Sequence, residues 1–359
     1  GELWICAPLS DGAQKPGGVY KYDGDSENWI PMYTSPNVRN IVFDQNAQNI
    51  ETQQVWIAAD GVLKSEDGGE NWTSLLSIQA DAIALNPQQP QVIYVGSPEG
   101  VQKTIDSGVN WQPSNEGLTG VVPSFLAVNP NNPAFVYSCF VSTYGSQTGG
   151  NVWQKLFSGG GQIVIDPADS NHVFSGLSIA DNGWDFEREF TIPRPPDRDE
   201  ATYQMIMTAR SAKTNKWLMG VGYLDVSKPS FNYGGGGRIY ISDDGENWSW
   251  VDPLLECPPT GFGFDPVDED IMYATTSGTE GGVNCGETTF LRSEDGGQTW
   301  HASTSGLPPE GAGGVIAVEP TPPYRVYLAS GGGLWISSDQ GMTWQGDYSP
   351  INSYIDSLL

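Results

Sequence analysis

The chain is short of positive charge. Its 359 residues carry 16 Lys and Arg against 43 Asp and Glu, a formal net charge of −27. Such a surface repels polyphosphate, and no basic stripe runs through the sequence, so neither a nucleic acid nor an anionic membrane is expected as a partner. Long apolar runs are missing too. No stretch approaches the roughly 18 residues of a membrane helix, and Gly1-Glu2-Leu3-Trp4-Ile5-Cys6 reads as strand rather than signal peptide. The chain is therefore not expected to span a membrane. Only two histidines, His172 and His301, and four cysteines, Cys6, Cys139, Cys257 and Cys285, are present, with no CxxC pair. A zinc site is not expected from that set, and no cofactor is called for.

Turn formers and aromatics are abundant instead. The 45 Gly and 26 Pro make about a fifth of the chain, against roughly 12% in average usage. Thirteen Trp, 15 Tyr and 12 Phe supply the apolar surface for a large core. Frequent turns with a rich core point to a folded all-β protein rather than a disordered or fibrous one.

A short pattern repeats. Ser65 to Trp72 (SEDGGENW), Thr104 to Trp111 (TIDSGVNW), Ser293 to Trp300 (SEDGGQTW) and Ser337 to Trp344 (SSDQGMTW) are full copies. Asp25 to Trp29 (DSENW) and Asp244 to Trp248 (DGENW) are one residue shorter, and Asp181 to Phe186 is degenerate. Each copy has the chemistry of a hairpin turn. The Asp (Asp25, Asp67, Asp106, Asp181, Asp244, Asp295, Asp339) accepts main-chain N–H groups ahead of it, the Gly supplies a positive φ, and the Trp (Trp29, Trp72, Trp111, Trp248, Trp300, Trp344) folds over the turn. Upstream runs a second pattern of apolar strand, Asn/Asp/Glu-Pro, then another β-rich strand, as in Ile83 to Val95 and Val315 to Leu328. Each unit thus holds four short strands. Asn71-Trp72-Thr73 and Asn247-Trp248-Ser249 match the N-glycosylation acceptor, but they lie inside the repeat and read as its by-products.

These turns closely resemble the Asp-box (BNR) repeat family of β-propellers over nearly the whole chain. The resemblance implies one domain, residues 1–359, of four-stranded blades with every box on one face. Innermost strands expected near Asn40, Ala82, Ser124, Gln162, Gln204, Gly261, Gly314 and Tyr354 count eight blades, the C-terminal strand joining Leu3 to Cys6 to close the first. At about 45 residues per blade the length fits. Seven is the alternative, because Cys139 to Phe186 is compressed and shows no clear box near Trp153.

The family includes sialidases, xyloglucan-type glycoside hydrolases, sorting-receptor ectodomains and photosystem II assembly factors, so the resemblance fixes fold more than function. The departures are informative. A sialidase is expected to carry Arg-Ile-Pro near the first blade, whereas here Thr191-Ile192-Pro193-Arg194 lies mid-chain. Xyloglucan hydrolases work in a cleft between two propellers, and one is counted here. The assembly factors are expected to show a positive patch, which this composition lacks.

Extra residues concentrate in Ser10–Gly18, Ser142–Asn151, Glu187–Tyr203, Asp225–Gly237 and Ser277–Thr288, assigned to the face opposite the boxes. Long loops on a rigid scaffold are where binding usually sits. Residues 187–203 hold three of the eight arginines, Arg188, Arg194 and Arg198, beside Asp197, Asp199, Glu200 and Tyr203. Residues 223–237 add Tyr223, Asp225, Phe231 and Tyr233. The first reading is a non-catalytic, extracytoplasmic (secreted, periplasmic or cell-surface) scaffold that docks a protein or glycan here. The alternative is a glycoside hydrolase acting on a neutral polysaccharide with a pair drawn from Asp197, Asp199, Glu200 and Asp225. Cys257 and Cys285 flank loops of one repeat and are expected to form a disulfide, in keeping with an oxidising compartment. Asp265 to Asp270 reads as a solvated acidic turn, with Ca²⁺ as the alternative. The sequence sets no oligomeric state.

Overall fold

The computed structural model describes residues 4–7, 17–23, 28–44, 53–119, 123–139, 142–158, 163–166, 168–175, 178–189, 192–194, 196, 202–211, 213–224, 236–255, 257–276, 290–308, 314–330, 333–347 and 357–358. These form eight four-stranded antiparallel sheets, the blades of an eight-bladed β-propeller. Among the described residues no helix is long and apolar enough to cross a membrane.

The first blade is β1 (Trp4–Ala7), β2 (Gly18–Asp23) and β3 (Asn28–Thr34). The second is β4 (Asn40–Phe43), β5 (Val55–Ala58), β6 (Val62–Ser65) and β7 (Thr73–Leu76). The third is β8 (Ala82–Asn86), β9 (Gln89–Ser97), β10 (Gly100–Thr104) and β11 (Gln112–Pro113). The fourth is β12 (Phe125–Val128), β13 (Val136–Cys139), β14 (Ser142–Ser146) and β15 (Gln154–Ser158). The fifth is β16 (Ile163–Ile165), β17 (Val173–Ser175), β18 (Ser178–Ala180) and β19 (Arg188–Glu189). The sixth is β20 (Thr202–Arg210), β21 (Trp217–Leu224), β22 (Gly237–Ser242) and β23 (Ser249–Leu255). The seventh is β24 (Pro259–Phe264), β25 (Met272–Thr276), β26 (Phe290–Ser293) and β27 (His301–Ala302). The eighth is β28 (Val315–Val318), β29 (Val326–Ser330), β30 (Gly333–Ser337) and β31 (Gln345–Asp347), after which β32 (Ser357–Leu358) returns to the first blade.

There β32 pairs β1 with Ile5 opposite Leu358 and Cys6 opposite Ser357, so the last strand becomes the innermost strand of the first blade. Closure removes the open edge an eight-sheet ring would otherwise present. The innermost strands begin within about three residues of the positions expected from sequence.

The core lies between blades. Phe174 of the fifth packs with Trp217, Tyr240 and Trp248 of the sixth. Tyr273 and Phe290 of the seventh pack with Trp335 and Trp344 of the eighth, and Ile5 and Tyr20 meet Tyr327 and Leu334 across the closure. At about 1.5–3 kcal/mol for each large apolar side chain fully buried, these seams hold the ring together.

The repeated turns join the third and fourth strands of their blades. In the second blade the Ser65 hydroxyl accepts the Gly69 N–H at 2.7 Å and donates to Asp67 at 2.8 Å. Asp67 then accepts the Asn71 main-chain N–H at 2.9 Å and its side-chain amide at 2.7 Å. Asp106, Asp244, Asp295 and Asp339 repeat the arrangement. Asp25 lies outside the described residues, while Trp29 is buried.

Two expectations need correction. Residues 142–151 are not a loop of the opposite face. They comprise β14 and a further boxed turn, in which the Thr148 hydroxyl stands where the carboxylate is elsewhere: Ser146 accepts the Gly150 N–H at 2.9 Å and Thr148 accepts the Val152 N–H at 2.9 Å. In the fifth blade the turn acceptor is Asn182, not Asp181. The Asn182 carbonyl takes the N–H groups of Trp184 and Asp185 at 2.9 and 2.8 Å, and Asp181 turns to His172 instead.

Candidate functional site

In an up-and-down blade the loops between second and third strands, and those leading to the next blade, lie opposite the boxed turns. The segment after β19 is fixed there by its own core contacts. Ile192 is buried with Phe174, Trp217 and Tyr223, and the Tyr240 hydroxyl donates to the Pro193 carbonyl at 3.1 Å. Arg194 is exposed immediately beyond this anchor. Tyr223, expected to offer a binding ring, is instead a core residue only 2% exposed, with its hydroxyl 3.1 Å from that of Tyr240. It belongs to the inward-facing side of β21, where alternation places Val221 and Met219 as well. Arg188 lies in β19 opposite Ile179, and Tyr203 lies in β20 opposite Tyr223. Asp197, Arg198, Asp199, Glu200, Asp225, Phe231 and Tyr233 lie outside the described residues.

The same face carries a second group that sequence reasoning missed. At the seam of the second and third blades the Ala80 N–H donates to the Ala59 carbonyl at 2.8 Å, which brings the neighbouring Asp60 and Asp81 to adjoining positions. The Asn37 amide donates to both oxygens of Asp60 at 2.9 and 2.8 Å. Asp81 pairs with Arg39 Nε at 3.2 Å and accepts from Gln79 at 3.1 Å. Asp60 is exposed, and the Asp81 side chain is 13% exposed beside an Arg39 that is 45% exposed. These are two positioned carboxyl groups reachable from solvent. No sequence spacing marks them, because the partners come from three separate loops, those joining β3 to β4, β5 to β6 and β7 to β8.

Two hollows lie elsewhere. A cavity of about 470 Å³ sits among the innermost strands of the second to fifth blades, lined by Ile41, Phe43, Ile83, Leu85, Leu126 and Val128, with Asp44 and Asn86 at its edge. A polar hollow of about 450 Å³ between the first and eighth blades is lined by Tyr22, Arg325, Asp339 and Gln345. Neither brings a nucleophile to a base. His301 lies exposed on the outermost strand β27, and His172 lies on the boxed face.

The acidic turn at 265–270 is a structural joint. Buried Asp265 accepts the N–H groups of Val267 and Asp268, both at 2.9 Å, and its other oxygen takes Tyr273 at 3.2 Å and Gln340 of the next blade at 3.3 Å. Burial, then the neighbouring Asp265 carboxylate, pushes the Tyr273 phenol up. Cys257 is buried and disulfide-bonded, and Cys6 and Cys139 are buried thiols. Cys285 lies outside the described residues.

No protein-family model matches the chain. A xyloglucanase from a Paenibacillus species is 34% identical over 88 residues, 22% of this chain and 9% of that protein. Xyloglucanase Xgh74A of Acetivibrio thermocellus is 24% identical over 127 residues, 26% of this chain and 15% of that protein. The matches thus span a small part of those curated relatives. Among solved structures, the GH74 xyloglucanase from Xanthomonas campestris aligns over 98% of this chain and 52% of its own length, with a TM-score of 0.56 and 15% identity. That likeness is one of fold.

Proposed function

We propose that this propeller is of the glycoside-hydrolase type and engages a neutral polysaccharide of the xyloglucan class on the face opposite its boxed turns. The observation that carries the reading is the carboxyl pair Asp60 and Asp81, held by Asn37 and Arg39 on that face. The sequence shared with two xyloglucanases supports it. So does the charge: at −27 the protein would repel a polyanionic glycan, whereas a neutral one is indifferent to it. Glycosidic cleavage needs one carboxylate and one carboxylic acid flanking the bond. In this reading Asp81 is the carboxylate and Asp60 is the proton donor.

The finer assignments rest on the same footing. The boxed turns support membership of the Asp-box superfamily and a single domain over residues 1–359. The disulfide-bonded Cys257 supports an extracytoplasmic location, with Cys285 as its partner.

The test is affinity electrophoresis in xyloglucan-containing gels together with a reducing-end assay on the same polymer. Retardation plus release of reducing ends supports the reading. Unretarded migration with no release overturns it.

A second reading, docking of a protein partner on this face, is favoured by the anchoring of Pro193 through Tyr240, which presents exposed Arg194 at a fixed place. A stoichiometric partner recovered by the intact protein, and lost when residues 187–203 are replaced by a Gly/Ser linker, would support it.

A further inference from the structure

On the opposite, boxed face, the seam between the fifth and sixth blades gathers three side chains that no sequence motif connects. His172 ends the turn entering β17, Asp181 begins the turn after β18, and Glu246 sits in the boxed turn after β22. One ligating atom from each lies within 4.8 Å of the other two. His172 Nε2 is 2.9 Å from Asp181 Oδ1. Adjacent ligands around an ion bound at about 2.0–2.2 Å are separated by about 2.9–3.5 Å, so the His172–Asp181 spacing already suits one. Glu246 is half-buried on a turn, and a modest rotation of its side chain closes the third side.

The surroundings are arranged for an imidazole ligand. Behind His172, Asp166 Oδ2 stands 3.9 Å from Nδ1, buried and ion-paired with Arg210 of β20. At 3.9 Å this is a contact and not a hydrogen bond, but it places a carboxylate on the side of the ring from which a ligating histidine is usually oriented. Arg210 pairs with Asp166, while Asp181 and Glu246 bring two carboxylates to the same imidazole. The fifth blade is also the one in need of support. Its strands are two or three residues long, and its box has Ala180 where those of the second to fourth and sixth to eighth blades have Ser or Thr.

We propose that His172, Asp181 and Glu246 form a binding site for a first-row divalent transition ion, Zn²⁺ foremost, that ties the fifth blade to the sixth. One nitrogen and two carboxylate oxygens suit Zn²⁺ or Mn²⁺ better than Ca²⁺, which prefers an all-oxygen shell. Three protein ligands leave room for water. The site is independent of the glycan reading and lies on the other face.

The experiment is calorimetric titration of ZnCl₂ into the chelator-treated full chain at pH 7.5, with melting followed in parallel. One ion per chain and a melting temperature raised by several degrees are expected, because a ligand that binds only the folded state stabilises it by mass action. H172A and E246Q should each weaken binding at least tenfold and abolish the thermal shift, while E269Q, on the exposed turn after Asp265, changes neither. E246Q alters only a turn side chain, so it keeps the test valid if H172A fails to fold. Heat-free titration at 100 μM Zn²⁺, or affinity unchanged in E246Q, would overturn the proposal.

Discussion

The indole N–H of Trp153 donates to the main-chain carbonyl of Ser114 at 2.7 Å, joining the box of the fourth blade to the outer edge of the third. Trp72 does the same to Met32 at 2.8 Å and Trp344 to Ser303 at 2.9 Å. Trp111, Trp248 and Trp300 instead close on Gly108, Gly245 and Gly297 of their own turns. One residue type at one repeat position therefore serves two ends, a stitch between blades or a lock within one. Trp153→Phe keeps the ring but leaves the Ser114 carbonyl buried without its donor. It should cost about 1–3 kcal/mol in urea unfolding. Hydrogen exchange should quicken in the third and fourth blades together, whereas Trp111→Phe should affect the third alone.

The Thr148 box is an incomplete version of its neighbours. Val152, exposed, stands where Asn71 or Thr299 returns a second bond to the carboxylate. Thr148→Asp combined with Val152→Asn restores both partners on a backbone already in the boxed conformation. The double variant should gain about 0.5–2 kcal/mol. An unchanged denaturation midpoint would show that the hydroxyl already suffices.

This turn also marks where the sequence is hard to read. The boxes with Asp and Trp at fixed spacing are legible because the turn needs an acceptor and a ring at set positions, while the blade count and the ring closure come from the succession of innermost strands. Ser146 to Trp153 escapes the pattern because a hydroxyl can accept the same N–H. At the fifth blade the acceptor slips by one residue, to Asn182, since an amide oxygen serves as well as a carboxylate. Tyr223 shows a different limit. An aromatic at the end of a strand is read as a loop ring or a core ring only once the side of the sheet is known. Asp60 with Asp81, and His172 with Glu246, are juxtaposed by blade packing, which no local spacing encodes.

Asp106 should make stability acid-sensitive. The main-chain N–H and then the side-chain amide of Asn110, with the Thr104 hydroxyl, hold its carboxyl down to about 2. The unfolded value is about 3.9. A folded pKa below the unfolded one contributes stability that is present above about pH 4 and lost as pH falls through about 2. Asp67 is lowered in the same direction, by the Asn71 side chain first. The stability gap between wild type and Asp106→Asn, measured by urea unfolding, should therefore be widest at pH 7 and shrink toward pH 2. A gap independent of pH would assign the bonds no charge dependence.

The cysteines divide into two classes that alkylation separates. Cys6 and Cys139 are buried thiols on the second strands of their blades and should react only after unfolding. Peptide mapping without reductant should recover Cys257 linked to Cys285. Reduction should lower stability by roughly 3 kcal/mol, the scale for closing a loop of a few tens of residues. A native count of two readily labelled thiols would contradict this.

Asp81 tests the functional reading because its ion pair contributes little to folding. Arg39 is 45% exposed, and pairs of that kind are worth about 0–1 kcal/mol. Asp81→Asn keeps the shape and the Gln79 contact, so its melting curve should stay close to wild type. If Asp81 is the carboxylate of the cleavage step, release of reducing ends from xyloglucan should fall at least a hundredfold while retardation in the xyloglucan gel persists. Loss of binding and cleavage together would make Asp81 a contact for the polysaccharide rather than a reacting group. Full activity in the variant would remove it from the site altogether and leave the acids of residues 197–200 to supply both roles.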